Sequence, residues 1–68
     1  MESVARTTEI SARSEESFED AVRIGIERAT QSLRNVRGAW VKEQEVKIQD
    51  DRIVAFQVIM KVTFELDK

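Results

Sequence analysis

The chain has 68 residues, a net charge of −2, and no cysteine, histidine or proline. Disulfides and thiolate metal sites are thereby excluded, and the commonest zinc ligand, which is also the usual general base, is missing. The slight acidic excess offers no basic surface for a phosphate backbone, so no nucleic-acid partner is expected.

A single domain over residues 1–68 is expected at this length. Ordering the chain costs roughly 100 kcal/mol at about 1.5 kcal/mol per residue, and so small a core barely offsets it. With disulfides and thiolate sites absent, self-assembly is the remaining means of stabilisation. The opening "MESVARTTEI" has no long apolar run. Neither a signal peptide nor a membrane span is expected, and the default location is cytoplasmic.

Residues 3–11, "SVARTTEIS", carry Val4, Thr7, Thr8 and Ile10, residue types that favour a pleated backbone, and predict a first strand. The period then changes. Phe18, Ala21, Val22, Gly25, Ile26, Ala29 and Leu33 recur at three- and four-residue spacing, which places them on one stripe of an α-helix. Ser14 is a natural N-cap, with Glu15 and Glu16 in the first turn. Ser17 followed three residues later by Asp20 offers a second capping reading. Arg28 and Arg34 fall toward the helix end, where positive charge is favoured. Ile24 lies off the stripe and is expected to face a neighbouring chain.

Residues 36–49 and 52–66 predict two strands joined by the polar turn "QDDR", an antiparallel hairpin. In the last strand the even positions Val54, Phe56, Val58, Met60, Val62, Phe64 and Leu66 are all apolar and point to one face, which must meet the helix. The odd positions mix Ile53, Ala55 and Ile59 with Gln57, Lys61, Thr63 and Glu65, a composition that fits a partner surface better than a solvated one. The fold class is therefore α+β, of order β-α-β-β: a three-stranded antiparallel sheet with one helix packed on one face.

The stretches "SEESFEDAVRIGIERATQSLRNV", "VKEQ" and "AFQVIMKVTFELD" together resemble the dodecins, nearly end to end. That resemblance implies a hollow homododecamer of cubic symmetry that stores or sequesters a flavin, riboflavin or FMN, bound in pairs at two-fold positions. In flavin-binding members a tryptophan opens the second strand and its indole sandwiches the isoalloxazine ring. Anchored on "VKEQ", that position is Gly38 here, and the only tryptophan stands at Trp40. Side-chain alternation points 38 and 40 to the same face, about 7 Å apart along the strand. The family's flavin-contacting glutamine falls on Gln57, and the acidic residue near the ribityl chain on Glu43. Glu45 stands where many bacterial members have arginine. Loss of the aromatic at 38 also resembles a divergent, calcium-associated subgroup, which shares the pattern of Val36, Arg37, Ala39, Val41, Glu43 and Gln44.

Each candidate has two readings. Trp40 is either buried between subunits or a displaced stacking platform. Gly38 is either a bulge or a gap. Gln57 is either tied to a neighbouring strand or free to serve the flavin pyrimidine edge. Glu43, Glu45, Asp50 and Asp51 are either solvated charges or hard oxygen ligands for calcium, though no EF-hand loop is present. No nucleophile stands beside a base and no glycine-rich phosphate loop occurs, which argues against an enzyme.

Overall fold

The computed structural model describes residues 3–66, in the order β1 (Ala5–Ser14), α1 (Phe18–Ser32), β2 (Val36–Gln49) and β3 (Arg52–Glu65). The sheet is antiparallel throughout, with β3 in the centre in the order β1-β3-β2. β3 is central because its inward side chains are the most continuously apolar. Val58, Met60 and Val62 are essentially inaccessible.

The first strand runs further than residues 3–11. Ala12 and Ser14 pair with Val58 and Phe56 and carry β1 up to the helix. The helix begins later than a Ser14 cap requires. Ser17 is the N-cap, accepting a 3.0 Å bond from the Asp20 amide, so the second capping reading is the one realised. Ser14 is buried beneath that turn. Its hydroxyl accepts from the Glu16 amide at 2.9 Å and donates to Asp20 Oδ2 at 2.6 Å. Glu15 and Glu16 therefore precede the helix, and Glu19 and Asp20 occupy its first turn. The last turn carries no basic residue, because the helix ends at Ser32, with Leu33 as C-cap and Arg34 beyond it.

Ala21, Gly25 and Ala29 form the buried line of α1, small enough to let the helix backbone approach the sheet. An added Cβ on Gly25 would stand 2.6 Å from Met60 Cε and 3.0 Å from Ala12 Cβ. At the helix start, Phe18 meets Phe56 edge to face, with ring centroids 5.2 Å apart.

The helix covers less of β3 than the seven even positions suggest. A 15-residue helix is about 22 Å long, whereas a 14-residue strand is about 46 Å. The molecule is 51 Å in its longest dimension, and Val54 and Leu66 at the two ends of the apolar face stay exposed. The overhang toward residue 50 is a hairpin whose turn residues Asp50 and Asp51 have φ of 53° and 63°. These left-handed values suit a two-residue type I′ turn, and aspartate tolerates them better than most residues. On the odd-numbered face, Ala55 is fully buried, against expectation for the outer side.

Candidate ligand-binding face

Every side chain of interest lies on the sheet face away from α1, and its register follows from the pairing. Gly38 stands opposite Thr63, Trp40 opposite Lys61, Glu43 opposite Ile59 and Glu45 opposite Gln57. On the other flank Thr7, Glu9, Ser11 and Arg13 pair with Thr63, Lys61, Ile59 and Gln57. Four rows result, and the four sequence-derived candidates Gly38, Trp40, Glu43 and Gln57 occupy all of them.

Simple alternation would put Glu43 on the opposite face from Gly38 and Trp40. The register shift between Val41 and Glu43 leaves Lys42 as an extra residue and turns Glu43 onto their side. A similar shift leaves Arg37 extra just before Gly38, so Gly38 follows a bulge and is also a gap: a Cβ built there meets nothing within 4 Å.

Trp40 is 70% exposed, the largest exposure among the big apolar side chains of the described residues. One side of its ring is approached by Lys61 Nζ, 6.0 Å from the ring centroid, at the outer range of a cation–π contact. The Gln57 amide donates to Ser11 Oγ at 3.3 Å, a cross-strand bond that fixes its orientation. The surrounding charges are mostly paired: Lys42 with Glu9 at 3.3 Å, Lys47 with Glu45 at 3.1 Å, and Arg37 with Glu65. Glu43 has no such partner among the described residues. Together these side chains make a shallow polar surface with one projecting aromatic ring, and no enclosed cavity.

The carboxylates proposed as calcium ligands do not gather in one chain. Glu43 and Glu45 lie on the open face, whereas Asp50 and Asp51 sit in the hairpin turn. Among the described residues no group of three or more acidic side chains is placed to hold a metal ion. No described helix is long and apolar enough to cross a membrane.

The Dodecin family model matches residues 4–67. The chain belongs to the dodecin family. Among solved structures it is similar to the dodecin from Streptomyces davaonensis, at 38% identity and a TM-score of 0.93, with 100% of both chains covered. It is also similar to the dodecin of Streptomyces coelicolor, at 30% identity and a TM-score of 0.91, covering 97% of this chain and 94% of that one. A calcium dodecin from Mycobacterium tuberculosis, described as having a novel calcium-binding site, matches at 26% identity with a TM-score of 0.83, covering 96% of this chain and 93% of that one. No curated protein matches the chain. The β2 edge and the projecting Trp40 both belong to the long β2–β3 hairpin.

Proposed function

We propose that this dodecin-family chain assembles into a homo-oligomeric shell of twelve copies, located in the cytoplasm, that binds and stores a flavin and catalyses no reaction. The observation that carries the reading is Trp40: an indole 70% exposed on the same sheet face as the Gln57 amide, beside the open space at Gly38. Burying so large a ring, or stacking it on a planar ligand, is the physical reason to keep it there. The Gln57 amide supplies a donor and an acceptor suited to the pyrimidine edge of isoalloxazine, and Glu43 is free to meet ribityl hydroxyls. Trp40 serves as the stacking residue from a position displaced by two, and Gly38 leaves the usual platform empty. The site is therefore weakened relative to relatives with an aromatic side chain at 38.

The test is a titration of riboflavin and of FMN with the purified protein, read as quenching of flavin emission. Quenching by the unmodified chain, lost in Trp40→Ala with particle size unchanged, is the expected result. Gly38→Trp should tighten binding about 10- to 100-fold, since a base–aromatic stack is worth about 1–3 kcal/mol. Unchanged flavin emission together with loss of assembly in Trp40→Ala would show that Trp40 is packing between subunits.

Calcium is the second reading, favoured by the likeness to the calcium dodecin. Because one chain does not gather the ligands, such a site needs carboxylates such as Glu43 and Glu45 from neighbouring copies. Isothermal titration with calcium separates the two readings: heat with calcium and none with flavin favours the second.

A further inference from the structure

Arg13 stands on the open sheet face, and the flavin reading gives it no task. It pairs with Gln57 from β1, and Glu45 pairs with Gln57 from β2, so the three form one row. Directly opposed side chains have Cβ atoms about 4.5–5.5 Å apart, which puts the guanidinium within reach of whatever the Gln57 amide binds. The amide itself leans that way. Its Nε2 donates to Ser11 Oγ at 3.3 Å, and Ser11 is the next residue toward the same face of β1. Glu45 does not offset the guanidinium, because Lys47 holds it at 3.1 Å. Arg13 is exposed and has no hydrogen-bond or ion-pair partner among the described residues. The row therefore ends in an uncompensated positive charge, beside an amide already turned toward its strand.

We propose that Arg13 meets the pyrimidine end of the bound flavin, at N1 and the C2 oxygen, and so shifts the site toward the reduced, anionic ring. The proposal rests on the flavin reading given above and deepens it. Two electrons and one proton convert the neutral oxidised isoalloxazine into the hydroquinone anion. The proton goes to N5, and the negative charge is shared between N1 and the C2 oxygen. Both atoms belong to the ring whose edge the Gln57 amide fits, so the residue beside Gln57 is the one placed to meet that charge. A charge near N1 is one of the means by which a protein tunes a flavin. The guanidinium keeps its charge at every working pH and presents its donors as a rigid fork. Glu43, the unpartnered carboxylate of this face, lies on β2, across β3 from Arg13 and one row along. The face thus runs from a cation at the pyrimidine end to an anion on the ribityl side. Arg13 and Gln57 belong to one chain, so the pairing is independent of which copy supplies the stacking indole.

The experiment measures the midpoint potential of riboflavin bound to the purified protein, by anaerobic dithionite titration against a reference dye at one fixed pH. Riboflavin is the probe because it has no phosphate, so a guanidinium–phosphate contact cannot produce the effect. Dithionite supplies the electrons and solvent the proton. Arg13→Gln is expected to lower the potential of the bound flavin by about 30 mV, which is a tenfold loss of preference for the reduced ring over the oxidised one. Quenching titrations of oxidised riboflavin are expected to change less. Arg13→Lys keeps the charge and is expected to keep most of the potential. Light scattering after size exclusion compares the particle mass of all three proteins. A potential equal in wild type and Arg13→Gln overturns the proposal. An equal fall in both variants also overturns it, because charge is then not the cause. A particle lost in Arg13→Gln would show that Arg13 serves assembly, and overturns it as well. Riboflavin bound in neither redox state by the wild type overturns the flavin reading together with this one, whereas bound riboflavin indifferent to Arg13 overturns this one alone.

Discussion

Gly25 shows how one small side chain sets the distance between two layers. Its missing Cβ is the space that Met60 Cε and Ala12 Cβ occupy, at 2.6 and 3.0 Å. Alanine would gain about 1 kcal/mol of helix propensity there. Overpacking a close-packed contact costs about 1–3 kcal/mol, and Met60 is fully buried with little room to withdraw. Gly25→Ala is therefore expected to lower the stability of the fold, by up to about 2 kcal/mol in denaturant unfolding. A gain in stability would show that Met60 repacks freely. Gly38 is the opposite case: nothing surrounds it, so a large side chain there meets no steric cost within the chain. The periodicity of the helix made Gly25 legible as a core position, but only the three-dimensional contact explains why alanine would not serve as well.

The helix N-terminus is held by a relay in which two serines act in turn. Ser17 caps the Asp20 amide, while Ser14, further back, supports the Glu16 amide and the Asp20 carboxylate. The Ser14 hydroxyl, and after it the Arg23 guanidinium, hold the Asp20 carboxyl below its ordinary pKa. A carboxylate with a depressed folded-state pKa contributes stability above its unfolded value of about 4, and loses it as pH falls through the folded value. Thermal melts between neutral and acid pH should thus show a decline below about pH 4 that Asp20→Asn removes. Ser14→Ala should move that decline to higher pH, and Ser17→Ala should cost about 1 kcal/mol at neutral pH. A melt curve for Ser14→Ala that parallels the wild type at every pH would mean the hydroxyl does not act on Asp20. Both serines stand out in "ARSEESFED" as cap residues, but their division of labour depends on β1 running on to Ser14 and burying it.

At the scale of the molecule, the imbalance between helix and hairpin governs everything. Only seven apolar side chains are buried among the described residues, and four of them are alanines: Ala12, Ala21, Ala29 and Ala55. Apolar burial of this extent leaves a marginal monomer. Ile48, Ile53 and Trp40 are left exposed, and β2 is an edge strand that the helix barely shields. Stability drawn from partner chains depends on protomer concentration. The melting temperature is expected to rise with protein concentration, and dilution should dissociate and unfold the chain together. A melting temperature independent of concentration over two or three decades would show that the single chain is sufficient.

The sequence by itself determined the order β-α-β-β, the capped helix, the polar two-residue turn and the apolar face of β3. These depend on short-range periodicity and on the backbone preferences of a few residues. The resemblance to dodecins was also legible in it, through three stretches spread over the whole chain. What only the tertiary structure decided depends on pairing between distant segments. β3 lies between β1 and β2, the helix shields one end of the sheet and leaves the hairpin overhanging, and Ala55 is buried on the outer side. The candidate face belongs to this second group. Bulges at Arg37 and Lys42 break the alternation of β2, so no parity rule places Glu43 beside Trp40. A bulge is a mismatch between two strands: Gly38 hinted at the one beside it, but nothing in β2 alone marks the one at Lys42.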